Sequence, residues 1–466
     1  MIESRIQNMY YKNKMRRQHR ASSSTINTSL LYTSLLFFTI FQYGKSLSLT
    51  PIDSINSNAA QTSSQPIQRV GIVGAGIAGL SLAHALENLG QSSNNDNNME
   101  ISVFDSRPSL NFKDGAGVQV NGGMSVLHKI NPDLFASVAN AALPLKSIRS
   151  RTKPWFPLSL FSGSKEDSPF ATLLEFDIEE IIRKTGGETE KELIVDGTTM
   201  SYSIMRGALQ QVLLDELSSD TSERVEFGKR LTGIESATNE QDGIMCQFED
   251  GSAFGPFDLV VGCDGIQSNV KQFVEKGKIE TSASKKTGSS SIYSGIRIIF
   301  AVEDGDPSLP KEDFAKSTEL RQYFGNGGYG LAGTYGAGAG QSPSRSAFYI
   351  YRDPDYIGPF PKKKEQEQLS TSSIIVEDET IDSPPENADW SQNVQSSGEN
   401  PQADFLAKMK QSSMPSFELI PIVENADRFF ELGVYFHNPF TFSGWKREVK
   451  GSSGAFCVLA GDSARE

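Results

Sequence analysis

Cysteine is scarce in this 466-residue chain: three in all, at 246, 263 and 457, far apart and with no CxxC pair. That excludes a disulfide scaffold and a cysteine zinc site as organising features. Histidine is sparse too (His19, His84, His128, His437) and makes no HExxH, so a helical histidine metal centre is excluded. Positive charge is in deficit: 44 Lys+Arg stand against 57 Asp+Glu, a net charge of −13. Nucleic acid is thereby excluded as the main partner, because phosphate binding needs a basic face. No Ser/His/Asp set is visible either. Glycine, by contrast, is plentiful at 41 residues. Counted with the 37% hydrophobic residues, it brings the apolar share close to the usual ~45–50%, enough for a large packed core. The length allows about three domains as a soft prior.

Residues 1–65 do not read as part of a folded domain. A basic stretch (Lys12, Lys14, Arg16, Arg17, Arg20) precedes an apolar run at residues 30–41. That run falls short of the ~20 residues of a membrane span and suits the roughly 7–15 residues of a signal-peptide core. Ser46 and Ser48 offer a loose cleavage pattern, and residues 49–66 are rich in Ser, Asn, Thr and Gln with one acid, Asp53. The expectation is secretory-pathway entry by a signal peptide, with a plastid or another organelle as an end point. The alternatives are an uncleaved anchor, giving membrane contact through the apolar run, and a mis-assigned start without targeting meaning.

At Arg69 the composition changes. A short apolar run, residues 70–73, ends at Gly74-Ala75-Gly76-Ile77-Ala78-Gly79, and a helical apolar period follows until Gly90. This is strand, glycine turn, helix. Gly74 permits the turn, Gly76 lets the backbone approach a pyrophosphate, and Gly79 lets helix and strand pack closely. The helix N-terminus offers free N–H groups to phosphate. The next strand, residues 101–104, ends at Asp105, whose carboxylate is expected to accept hydrogen bonds from a ribose diol. Arg107, two residues on, joins the cofactor-binding candidates. A second GxGxxG, residues 328–333, has no helix pattern after it, so it is read as turns between strands rather than a nucleotide site. His84, in the first helix, is given no role.

Three later segments add to the pattern. Arg206 stands at the start of a helix at 205–214. A buried apolar strand ends in Asp264-Gly265, and the chain closes with an apolar strand and Gly461-Asp462. Carboxylates at the C-terminal ends of buried strands are where open α/β sheets bind ligands. Taken singly, Asp264-Gly265 also reads as a turn, Asp462 as a helix cap and Arg206 as a surface ion pair.

In this order the motifs resemble the FAD-dependent aromatic-ring hydroxylases, single-component flavoprotein monooxygenases similar to p-hydroxybenzoate hydroxylase and zeaxanthin epoxidase, from about residue 68 onward. The resemblance implies FAD as cofactor and NAD(P)H as co-substrate. It implies that Arg206 contacts the pyrophosphate region, that Asp264 serves FAD and NAD(P)H together, and that Asp462 binds the ribityl chain. It implies a small β-meander over 224–258 with Asp250-Gly251 as a hairpin turn, and likens 435–445 to the strand and turn before Gly461. Lys271 stands where the family has Arg, Ser463 where it often has Ala and Arg465 where it often has His. The family continues past the position of Glu466, so the resemblance also implies a chain truncated at its C-terminus.

The expected fold is α/β (α+β overall): a Rossmann-like FAD-binding domain from 66–150, 200–280 and 450–466, interleaved with a mostly β substrate domain from 151–199 and 281–449. Residues 361–404 are too polar to repay ordering and are expected to be an exposed, disordered insertion. Tyr293, Tyr323, Phe324, Tyr435, Phe436 and Phe440 could line a substrate pocket, or simply pack in a core. The function implied is NAD(P)H-dependent insertion of one oxygen atom from O₂ into an aromatic or olefinic small molecule, through a flavin C4a-hydroperoxide. The cofactor carries that chemistry, so no catalytic side chain and no metal ligand is assigned. A flavin oxidase or dehydrogenase, or an inactive remnant, is the alternative.

Overall fold

The computed structural model describes residues 67–92, 99–152, 171–237, 242–280, 291–305, 319–325, 327–354, 356, 400–411, 418–437, 444–452 and 454–464. The expected leader, residues 361–399 of the expected insertion, Pro439, Phe440 and Arg465 lie outside them.

One layer is a six-stranded sheet. Its elements, in chain order, are β1 (Arg69–Val73), α1 (Ile77–Ser92), β2 (Glu100–Asp105), α2 (Arg206–Asp215), β3 (Val225–Phe227), β4 (Leu259–Gly262), α3 (Asn269–Lys276), β5 (Lys446–Glu448) and β6 (Phe456–Leu459). The spatial order is β3-β2-β1-β4-β6-β5. All neighbours are parallel except β5, which runs antiparallel to β6. A parallel sheet must be covered on both faces, which is why β1, β2 and β4 are nearly unbroken apolar runs.

The two faces separate by the two-residue period of a strand. Val70 and Ile72 pack with Leu80 and Ala83 of α1 and Leu209 and Leu213 of α2. Val73, Phe104 and Val260 pack with Phe248 and Phe257 of an antiparallel meander (Leu231–Ser236, Ile244–Phe248, Ala253–Phe257) and with Phe273 of α3. The meander's second turn carries Asp250 and Gly251.

The second layer is a seven-stranded, mainly antiparallel sheet. Its order is Arg428–His437, Ser291–Glu303, Ser344–Arg352, Gly328–Tyr335, Glu319–Phe324, Ser147–Thr152 and Ala171–Asp177. One face shares the core of the first layer through Phe300, Val302, Tyr335 and Phe430. The other packs Ile299, Ala301 and Tyr323 beneath the helices Pro401–Gln411 and Ile420–Glu424. The fold is α/β.

The structure corrects three expectations. Residues 328–335 are not turns but a strand paired on both sides. Glycine serves there because aromatic rings occupy the space of its missing side chains: a Cβ on Gly328 would lie 2.3 Å from the Tyr349 hydroxyl. The expected insertion does not reach residue 404, because Pro401 already begins a helix. The Asn400 side chain accepts a hydrogen bond from Ala403 N at 3.0 Å, and Phe405 and Met409, one turn apart, are buried. The expected boundaries at 151 and 450 shift as well: Ser147–Thr152 pairs within the seven-stranded sheet, and β5 within the six-stranded one.

Candidate functional site

β1 ends against the start of α1, and close contact leaves only glycine room at two positions. Gly74 has φ +111°, a conformation L side chains rarely adopt, and a Cβ there would sit 2.4 Å from Cys263 O. A Cβ on Gly79 would sit 1.9 Å from Gly74 O, so helix and strand touch backbone to backbone. Gly76 is different: nothing lies within 4 Å of the position a Cβ would take. The space beside it is open, next to the first turn of a 16-residue helix that carries no acidic residue there. The residues before it hold the turn, Ile77 and Ala78 start the helix, and their amides make the helix start partly positive.

Asp105, at the end of β2, is 7% exposed. Oδ2 accepts from Ala75 N at 2.8 Å and from Arg107 Nη2 at 2.9 Å. Oδ1 accepts from Arg107 N and Arg107 Nε, both at 2.9 Å. Arg107 Nη2 also donates to Ala75 O at 3.2 Å, and Nη1 lies 4.0 Å from Asp114 Oδ2. From α2, Gln210 Nε2 donates to the same Ala75 oxygen at 3.3 Å. Arg206, one turn earlier on α2, packs its stem over Gly115, whose Cβ would lie 3.2 Å from Arg206 Cδ. Burial, then the neighbouring Arg107 guanidinium, pushes the Arg206 pKa down to about 10, while Asp114, Asp462 and Asp105 pull it up. It remains cationic at neutral pH. Two guanidiniums thus stand near each other, among a set of carboxylates.

β4 and β6 are neighbouring parallel strands with Gly262 opposite Leu459, so Asp264 and Asp462 lie on one rim. They differ in what they hold. Asp264 turns to α3: Oδ2 accepts from Asn269 N at 2.7 Å and Val270 N at 3.3 Å, and Oδ1 from the Ser268 hydroxyl. Burial pushes its carboxyl pKa up, against the pull of those donors. The sequence offered a turn or a cofactor role for Asp264; its side chain here holds the first amides of α3. Asp462 is exposed and acts electrostatically on Arg206. Gly461 bends the chain at φ +64° where a Cβ would lie 2.7 Å from Ala78 Cβ, so this turn packs on the glycine loop. Gly265 lies in the turn before α3.

The aromatic candidates do not gather in one place. Tyr323 is fully buried under the two helices, its hydroxyl bonded to Glu418. Tyr293 donates to Asp353 Oδ2 at 2.8 Å and contacts the Tyr435 ring, and Phe436 is exposed. Tyr335, not among those candidates, lies in the shared core with Phe300 and Phe430, and its hydroxyl accepts from Gln119 Nε2 at 2.9 Å. Among the described residues no cluster of His, Cys, Asp and Glu could hold a metal. Burial pushes the thiols of Cys263 and Cys457 up to about 12, which leaves them inert as nucleophiles.

Residues 72–141 match the NAD(P)-binding Rossmann-like domain family. Over 207 residues, 44% of this chain, the sequence is 28% identical to the FAD-dependent monooxygenase dpasE of Apiospora sacchari, covering 34% of that protein. It is 28% identical over 207 residues, again 44% of this chain, to 3-amino-4-hydroxybenzoate 2-monooxygenase of Streptomyces cremeus, covering 42% of it. Over the matched region the chain is thus similar to FAD-dependent monooxygenases, behind an N-terminal NAD(P)-binding Rossmann-like domain match. The fold agrees: 2,6-dihydroxypyridine-3-hydroxylase from Arthrobacter nicotinovorans superposes with a TM-score of 0.50 at 16% identity, over 86% of this chain and 78% of that one. The matched region spans 34% and 42% of the length of these curated relatives. The segments expected from the motif order lie at the C-terminal ends of β1, β2, β4 and β6 and at the start of α2, and the structure adds Gln210 and Asp114 beside them.

Proposed function

We propose that this chain binds FAD in the crevice bordered by the glycine loop, α2 and the Gly461 turn, and acts as an FAD-dependent monooxygenase with NAD(P)H as reductant. The observation that carries the proposal is Gly76. A side chain there would project into open space, at a helix N-terminus flanked by two guanidiniums. The donor set fits a pyrophosphate: main-chain N–H groups at the start of α1 and the Arg206 guanidinium match its charge and its many acceptors, while Arg107 is bonded to Asp105 and Ala75 behind the loop. Asp462, exposed on the same rim, is suited to accept from the hydroxyls of a polyol chain.

When bound, reduced flavin would supply activation of O₂ and delivery of one oxygen atom to an aromatic or olefinic substrate, by the route expected from the sequence. The chain's own part is to bind and orient. The glycine loop and α2 fix the phosphate end, and the shared core between the two sheets excludes water on the side of Tyr335. Supplied with FAD, NADPH or NADH, ¹⁸O₂ and a panel of hydroxylated aromatics, the protein should place one labelled oxygen atom in product. Flavin-dependent oxidation of substrate with no label in product would reassign it to the oxidases or dehydrogenases.

A further inference from the structure

Asp105 stands where a carboxylate is expected to hold a ribose diol, yet its bonding capacity is already used. A carboxylate offers about four lone-pair sites. Ala75 N, Arg107 N, Arg107 Nε and Arg107 Nη2 take all four, at 2.8–2.9 Å. The Ala75 peptide is held from its other end too, its oxygen accepting from Arg107 Nη2 and from Gln210 Nε2. Gln210 is 1% exposed and shares a face of α2 with Arg206, four residues earlier. One peptide of the glycine loop is therefore gripped by β2 and by α2 at once.

We infer that Asp105 is a positioning residue: with Arg107 and Gln210 it locks the glycine loop in its phosphate-binding shape, and it takes no part in recognising the ribose. The inference rests on the nucleotide reading of the crevice given above. It follows that affinity comes from the phosphate end and is nearly indifferent to the ribose hydroxyls. Replacing Asp105 by Asn would set an amide N–H₂ against the donors of Arg107, opening the lock without changing the side chain's size.

The test is calorimetric titration of the full chain with ADP, 2′-deoxy-ADP and 3′-deoxy-ADP, repeated on Asp105→Asn and Gln210→Leu. Wild type should bind the three probes within about twofold of one another. Each variant should weaken all three by one common factor, about tenfold, as expected for a group that does not touch the altered hydroxyl. Hydrogen-exchange mass spectrometry should show the peptide containing Ala75 losing protection in both variants. The inference is overturned if a deoxy probe binds wild type tenfold more weakly than ADP while Asp105→Asn binds all three alike. That pattern makes Asp105 the ribose acceptor and leaves the nucleotide reading standing. Unchanged protection at Ala75 in Asp105→Asn overturns the lock directly. Wild type that binds neither the probes nor FAD brings down the nucleotide reading, and this inference with it. The comparison on wild type needs no variant to fold.

Discussion

Two aspartates on one rim have separate tasks, and substitution should separate them. Asp264 is bonded to the first amides of α3, so Asp264→Ala should lower stability by ~0.5–2 kcal/mol as a lost cap does. Asp462 is exposed and acts electrostatically on Arg206. Asp462→Ala should leave the melting midpoint in place and weaken FAD binding by about one to two orders of magnitude, the scale of a charged hydrogen bond. Equal FAD affinity in Asp462→Ala and wild type would remove Asp462 from the site. Asp264 also sets a pH dependence. Its folded pKa lies above the ordinary value because the carboxyl is buried. Its contribution to stability is therefore full below the unfolded pKa of about 3.9 and is lost as pH rises through the folded value. Asp264→Asn keeps an acceptor for the amides and no charge. Its stability relative to wild type should rise as pH is raised above the unfolded value of about 3.9, until the folded value is passed, in paired melting curves. A difference flat across that range would contradict the assigned burial.

At the scale of elements, the face of the sheet away from α1 depends on a ring cluster. Phe104 lies 4.8 Å from Phe248, 5.1 Å from Phe254 and 5.9 Å from Phe257, centroid to centroid. It joins β2 to two strands of the meander. Phe104→Ala should cost ~3–5 kcal/mol in denaturant unfolding; a cost under about 1 kcal/mol would mean the meander packs without it. What the sequence made legible follows from how local each signal is. The glycine loop, α1 and the strand-end acids are short segments whose residues act on their neighbours, so their order alone located them. Residues 328–333 repeat the glycine spacing but not its context, and their true partner is Tyr349, a cross-strand contact invisible to a local pattern. Gln210 escaped notice for the same reason: its bond to Ala75 spans 135 residues. The i, i+4 spacing from Arg206 was the one signal that could have found it. Asp105 was located correctly, but its four bonds were not legible, because Arg107 reads equally well as a solvated charge.

For the whole molecule, the interleaving of two sheets gives one shared core, with residues of both layers packed around Tyr335, Ile204 and Val302. Among the described residues no helix is long and apolar enough to cross a membrane. The leader lies outside those residues, and we propose it as an address for secretory entry. A fluorescent fusion to residues 1–66 should leave the cytosol, and a diffuse cytosolic signal would refute that. The central claim is that the crevice at the sheet's C-terminal rim holds FAD. Its most direct measurement is an equilibrium titration of flavin fluorescence on the wild-type chain beside Gly76→Val, with far-UV circular dichroism to show that both are folded. The account predicts saturable FAD binding to wild type and its loss in Gly76→Val, where a side chain fills the space now open beside α1. Equal flavin binding by the two folded proteins would contradict it.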